Sequence, residues 1–279
     1  MNSNEKRKAL LKAIRLTFFA FVAVYMLMML FTFTQQRNMM YVPNRSAPDI
    51  AKAPAGTESI TVRTTDQIDL HSWWYPPRNE DSLTIVFFHG NAGNLENRLP
   101  KATRMINNGY GVLLASYRGY GGNEGKPTED NLYKDARAHM HWLIENKGYD
   151  IGNIVIYGES LGSGIATQMA MEFNQAKALI LDVPFNSTVA IAKHRFPALA
   201  GIDIMMKDQY RNDLKIASIN MPLLLGTAGK DFIVPSKFGK ALYSLARQPK
   251  LHIHYADSYH SVLEEHGFID DMDLFLQQF

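Results

Sequence analysis

Along most of the chain, short runs of β-branched and aromatic residues take turns with segments whose apolar residues recur at helical spacing. The stretch "ESITVRTTDQIDLHSWWYPP" alternates apolar and polar positions on both sides of Asp66-Gln67 and predicts an antiparallel hairpin. Strand-like runs follow in "LTIVFFHG", "YGVLLASY", "NIVIYGES", "KALILDVPF", "PLLLGTAG" and "KLHIHYAD". Helices are predicted at about Leu95 to Asn108, Thr128 to Asn146, Gly162 to Asn174 and Pro235 to Leu245, with a closing helix from about Val262. Several of the strands are apolar without alternation, which is the pattern of a sheet covered by helices on both faces. That order predicts a mostly parallel α/β sandwich, with an irregular stretch from Asn186 to about Ile219. There is no internal repeat.

The N-terminus has a different pattern. From Leu16 to Gln36 about 21 residues carry no charge, and at ~1.5 Å per residue a helix of that length spans roughly 32 Å, enough to cross a bilayer. The segment stays bulky through Met28, Met29, Leu30, Phe31 and Phe33, where a cleaved signal peptide has a small-x-small site, so an uncleaved anchor is expected. A buried core helix is the alternative. Lys6, Arg7, Lys8, Lys12 and Arg15 precede the span and only Arg37 follows it closely. The positive-inside bias places the N-terminus in the cytoplasm and the body of the protein on the non-cytoplasmic side, periplasmic in a bacterium. "NMMYVPNRSAPDIAKAPAG" then reads as an extended linker. The expected organisation is a basic tail and transmembrane anchor over 1–36, a linker over 37–56 and one α/β domain over 57–279.

Composition narrows the choices. With 279 residues, 46% hydrophobic and 20% charged, the chain can bury one large core. A net charge of +2, with both signs scattered beyond the anchor, offers no basic face to nucleic acid. Cysteine is absent, which removes disulfides, thiolate chemistry and Cys-based zinc sites. No metal site or other cofactor is expected, and composition says nothing of oligomeric state.

In a parallel α/β sheet reactive groups collect at the carboxyl ends of strands. Gly158-Glu159-Ser160-Leu161-Gly162 is a G-x-S-x-G sequence where a strand ends and a helix begins. A turn that sharp strains the serine, needs glycines where side chains would strike neighbours, and aims helix N-terminal N–H groups at the hydroxyl. Ser160 is therefore the candidate nucleophile, with a purely structural Gly-rich turn as the alternative. It needs a base held by a carboxylate. His260 in "ADSYHSV" follows the last predicted strand, and Asp231 in "GTAGKDFIVP" follows the strand before it, giving the chain order Ser, acid, His. Asp182 and Asp257 are the rival carboxylates. Asp182 also fits a structural role beside Pro184, and Asp257 is placed to close a turn. The candidate oxyanion donors are the N–H of Leu161, directly after the serine, and a backbone N–H in "HGNAG", with Asn91 first and Ala92 second. His89 is read as a loop brace, and His252 with His254 form an H-x-H pair that lacks a nearby third ligand.

The chain resembles the α/β-hydrolases, and within them the membrane-anchored bud-emergence-type and α/β-hydrolase-domain proteins that include protein depalmitoylases. The resemblance runs from the anchor to the end, through "MMYVPN", "HGNAGN", "YRGYGGNEGKPTE", "GESLGSG", "DVPFNS" and "DFIVP". It implies a triad of Ser160, Asp231 and His260. The chain departs from the family pattern at Ser116 (usually acidic), at Asn123 (usually serine), at Tyr259 (usually glycine) and in the glycine spacing before Asp231. The glycines of "YRGYGGNEG" do not form a dinucleotide loop, since Pro127 and a longer connection precede the next helix. The stretch 186–218 mixes apolar, aromatic and charged residues and is either a small lid over the serine or packing on the sheet. The expected function is a membrane-anchored serine hydrolase of an ester or thioester, esterase- or thioesterase-like. Its expected substrate is a small-molecule or lipid-like acyl ester. A noncatalytic anchored binding or scaffold protein, or a serine peptidase, is the alternative.

Overall fold

In the computed structural model, residues 2–79 and 82–279 are described. Helix α1 (Ser3–Met40) opens with a capping box: the Asn2 side chain accepts from a backbone N–H of the first turn while Glu5 reaches back to the Asn2 N–H. None of its residues is buried, and it is long and apolar enough to cross a membrane. The helix runs four residues past Gln36, because "RNMM" contains no breaker and Tyr41 is the first residue to turn extended. The segment read as linker is therefore only partly extended. Its start completes the helix, and β1 (Val42–Pro43) then pairs in parallel with β5 (Ala92–Gly93), fixing the chain against the loop that contains Asn91.

The hairpin forms as the alternation predicts, β2 (Glu58–Arg63) against β3 (Asp69–Tyr75). The remaining strands are β4 (Thr84–Phe88), β6 (Gly111–Ala115), β7 (Ile154–Glu159), β8 (Ala178–Asp182), β9 (Leu223–Ala228) and β10 (Lys250–Tyr255). They form an eight-stranded sheet in the order β10-β9-β8-β7-β4-β6-β3-β2, parallel from β10 to β6 and antiparallel across β3 and β2. Alternate residues of the central strands feed two cores. Val86, Phe88, Ile156 and Leu179 meet α3 (Glu129–His141), α4 (Leu161–Glu172) and α7 (Ser236–Leu245) on one face. Ile85, Phe87, Val155 and Ile180 meet α2 (Leu99–Asn107) and α8 (Phe268–Leu276) on the other. Each such side chain contributes about 1.5–3 kcal/mol on burial, which is why unbroken apolar strands occupy the centre. The stretch 186–218, irregular by pattern, carries α5 (Thr188–Arg195) and α6 (Ile202–Met205) with 3-10 turns at Asn212–Leu214 and Ile216–Ser218.

Close approach at the β7–α4 turn explains its glycines. A Cβ on Gly162 would strike the carbonyl of Phe88 in β4, and one on Gly158 would lie 2.5 Å from the Ala166 Cβ. Since backbone on a central strand cannot shift cheaply, Gly162→Ala should cost about 3 kcal/mol of stability. The urea midpoint of the detergent-solubilised full chain measures this, and an unchanged midpoint contradicts it.

Candidate active site

The sharp turn from β7 into α4 places Ser160 at φ 51° and ψ −117°, a conformation that costs a non-glycine residue of order 1–3 kcal/mol. Its N–H is held by the Asp182 carbonyl at 2.9 Å on the neighbouring strand, and the residue is 6% exposed. His260 Nε2 lies 2.9 Å from Ser160 Oγ, and His260 Nδ1 lies 2.7 Å from Asp231 Oδ2. With Nδ1–H donating to the carboxylate, Nε2 is left as the acceptor for the serine hydroxyl. The other oxygen of Asp231, Oδ1, accepts the N–H groups of Ile233 and Val234, both at 2.8 Å, so the fully buried carboxylate cannot rotate freely. The three side chains leave the carboxyl ends of β7, β9 and β10, and the parallel order of those strands brings together residues far apart in sequence.

The departures noted in the sequence have local explanations. Gly229 sits against the Ala256 carbonyl where a Cβ would collide, and Gly229 and Lys230 donate to Tyr255 and Ser258 carbonyls at 2.8 and 2.9 Å. The acid loop is thereby bonded directly onto the histidine loop. Tyr259 is 54% exposed and turns outward, so the position before His260 needs no glycine. Asn123 Nδ2 donates to Ser116 Oγ at 2.9 Å, and Asn123 Oδ1 accepts the His71 N–H at 2.8 Å. A neutral pair thus braces the Arg118 loop, whose guanidinium is gripped by Asp135 and Asp66. The glycines of that loop carry positive φ and let Ala47 and Pro48 pack on it.

The rival carboxylates are occupied elsewhere. Asp257 is exposed and paired with Lys230 at 2.8 Å. Asp182 is buried, accepting from Lys101 Nζ and, at 2.6 Å, from the Tyr157 hydroxyl. His89 braces the loop after β4: its Nδ1–H donates to the Gly90 carbonyl at 2.7 Å, and burial among Tyr117 and Tyr120 pushes its pKa down to about 3. His252 and His254 both bond Thr227 Oγ1, at 2.8 and 2.9 Å. Among the described residues there is no group of three or more His, Cys, Asp or Glu side chains able to hold a metal ion.

Ser160, Asn91 and Leu161 share the wall of a largely apolar cavity of about 280 Å³. Leu161 is the first residue of α4, so its N–H has no acceptor within the helix. Asn91 is pinned through its carbonyl, which accepts from Val42 N–H and the Tyr120 hydroxyl, and through Nδ2, which donates to the Met40 carbonyl. Helices α5 and α6 roof the cavity with Ile191 and Ile202, and the end of α1 contributes Phe33 and Met39.

Comparison with known proteins identifies the fold. A family model described as the alpha/beta hydrolase fold matches residues 84–213. The chain is 30% identical over 240 residues to the alpha/beta hydrolase domain-containing protein WAV2 of Arabidopsis thaliana, 77% of each chain. The chain belongs to the α/β-hydrolase family. This α/β-hydrolase is also 34% identical over 227 residues to the Mycobacterium tuberculosis protein Rv2307c, 80% of each chain. In structure it resembles the Pyrococcus furiosus esterase Pf2001, with a TM-score of 0.68 and 20% identity over 86% of this chain and 98% of that one.

Sequence reasoning missed what lies beneath the serine of this hydrolase. Glu159, the residue before Ser160, is buried, with Oε1 accepting from Arg98 at 2.7 Å and Oε2 from Lys101 Nζ at 2.8 Å. The same Lys101 Nζ bonds Asp182 and stands 3.4 Å from Glu264. Arg98 also donates to the Ala92 carbonyl at 2.6 Å, so one guanidinium ties the loop after β4 to the serine turn. Burial alone would push the Glu159 carboxyl up, but Arg98 and Lys101 outweigh it and hold the pKa at about 2. Burial opposes the Lys101 charge too, yet Asp182, Glu159 and Glu264 raise its pKa above the ordinary lysine value. The available signal was a lysine on the core-facing side of the amphipathic α2, next to an acid inside a buried G-x-S-x-G.

Proposed function

We propose that this protein is a membrane-anchored serine hydrolase that cleaves a carboxylic ester or thioester through an acyl-enzyme on Ser160. The observation that carries this reading is the continuous relay from Ser160 Oγ to His260 to Asp231, at 2.9 and 2.7 Å, in the wall of an apolar cavity. Ser160 Oγ attacks the acyl carbonyl while His260 Nε2 takes its proton, and Asp231 stabilises the imidazolium that forms. The N–H groups of Leu161 and Asn91 are the donors for the tetrahedral oxyanion, each worth about 2.7–4 kcal/mol in the transition state. His260 then protonates the leaving alcohol or thiol. Water, deprotonated by the same histidine, attacks the acyl-serine and releases the carboxylic acid. No cofactor takes part in this route.

The apolar cavity wall favours a lipid-like acyl group over a small polar one. The length and apolarity of α1 support anchorage, and the basic residues ahead of its apolar stretch support a hydrolase domain on the non-cytoplasmic side. A fluorophosphonate probe on the full-length protein in detergent tests the nucleophile. Labelling that disappears in Ser160→Ala is expected; absence of labelling in the folded wild type, or labelling that persists in the variant, favours the scaffold reading. Ester, thioester and amide substrates with one acyl group then sort esterase from thioesterase and peptidase.

A further inference from the structure

Helix α1 is joined to the segment that roofs the cavity at successive levels along its length. The Tyr25 hydroxyl accepts from the Ala200 N–H at 2.9 Å and donates to the Ala198 carbonyl at 3.2 Å. Lower down, the Gln36 amide bonds the Met205 carbonyl at 3.1 Å and the Lys207 N–H at 2.7 Å. Arg37 grips Asp208 through two contacts of 2.8 and 3.0 Å, and the Tyr41 hydroxyl meets that of Tyr210 at 2.9 Å. Tyr25 lies near the middle of the uncharged stretch, and at ~1.5 Å per residue it stands about 16 Å along the axis from Gln36, against a hydrocarbon core of about 30 Å. A segment bonded to α1 at both levels occupies the same depth as α1 itself.

The chemistry of that segment fits such a place. Ile204 points outward and is 89% exposed, and Phe196, which also lines the cavity, is 41% exposed, an arrangement that is costly in water and favourable in lipid. At the Tyr25 level its backbone carbonyl and N–H are met by a side chain of α1, as groups within hydrocarbon must be. The charge of Asp203 is met by Lys193 at 3.2 Å, and the Lys207 ammonium lies 4.3 Å from the Phe33 ring, close to the end of the span, where it can reach the interface.

We infer that residues 196–206 lie in the bilayer beside α1, that the cavity fills sideways from the hydrocarbon, and that α1 forms one wall of the acyl site. This deepens the proposed function and rests on its reading of α1 as a span and Ser160 as the nucleophile. The acyl chain then runs from Ser160 along Thr32, Phe33 and Met39. The anchor is in this sense part of the substrate site, and the bilayer is the occupant of the exposed apolar face.

The absence of cysteine makes the test direct, because each single-cysteine variant of the full chain carries one fluorophore. Phe21→Cys in α1, Ile204→Cys in α6 and Leu274→Cys on α8 are labelled and reconstituted in phosphatidylcholine vesicles with a nitroxide on the acyl chain. Quenching at 21 and 204 but not at 274 is expected. A label at 204 that stays bright, whether bathed in water or shielded by protein, overturns the inference, and so does an unquenched label at 21. Wild-type reactivity with the fluorophosphonate probe, read separately, shows whether the nucleophile assignment survives either result.

Chain-length preference tests the wall. Thr32→Trp should lower the kcat/KM ratio of dodecanoyl to butanoyl ester by about tenfold or more, since a bulky side chain then fills the path of the longer chain. Met39→Ala should shift the ratio the other way. Ratios unmoved in both variants show that the chain does not lie against α1.

Discussion

Ser160→Ala and His260→Ala should each lower kcat by about a millionfold, and the double variant should lose almost nothing more. In the proposed mechanism nucleophile and base act as one unit: without the hydroxyl the imidazole has no proton to take, and without the imidazole the hydroxyl remains a weak nucleophile. A millionfold loss corresponds to about 8 kcal/mol of barrier. Asp231→Asn should cost less, about ten-thousandfold, because the amide keeps the shape of the site but offers His260 Nδ1 the wrong partner. The Ile233 and Val234 N–H groups hold Oδ1, so the amide nitrogen is directed to the position facing His260. Single-turnover hydrolysis of a chromogenic ester measures all four variants. Multiplicative losses in the double variant, or a Ser160→Ala protein near wild-type rate, contradict the relay.

Lys101→Met should destabilise the domain by about 3–5 kcal/mol at neutral pH. The methionine is close in size, so packing is nearly preserved and the loss is electrostatic. Glu159, Asp182 and Glu264 would then face Arg98 alone in a buried space. The pH dependence gives the sign. Glu159 has its folded pKa depressed from 4.5 to about 2, so its contribution is complete above the unfolded value and is lost as pH falls toward the folded one. In the variant Glu159 takes up its proton at higher pH than in wild type, so the penalty relative to wild type should shrink steadily as pH falls from neutral toward the wild-type Glu159 value of about 2. Glu159→Gln combined with Lys101→Met should be more stable than Lys101→Met alone. Thermal midpoints of the solubilised chain between acid and neutral pH measure this, and a penalty independent of pH would assign the loss to packing instead.

Much of the molecule was legible without coordinates. The strands from "LTIVFFHG" to "KLHIHYAD" declare themselves because burial on both faces demands unbroken apolar runs. Their alternation with helical segments implies a parallel order, and that order implies which loops converge. Hence Ser160, Asp231 and His260, far apart in sequence, were identifiable as neighbours from chain order and loop position. The placement of Asn91 and Leu161 in the same cavity wall as Ser160 followed from the same logic, since one loop adjoins the serine strand and the other residue opens its helix. The helices within 186–218 were not legible, because α5 and α6 are short and lack a sustained apolar stripe. Lys101 was hidden for another reason. A lysine on an amphipathic helix reads as solvated unless its partners are known, and those partners come from β7, β8 and the turn after His260.

The sequence by itself determined what depends on local pattern: the long apolar N-terminal helix, the sandwich of strands and helices, the strained serine turn and the chain order of Ser160, Asp231 and His260. Only the tertiary structure decided that the end of α1 walls the cavity, that the segment after α1 pairs with the loop beside Asn91, and that a buried charge cluster supports the serine. Those contacts join residues such as Arg37 and Asp208, 171 positions apart, through single polar groups that leave no periodic trace. Periodicity records which face of an element is buried; it carries no record of what that face is buried against.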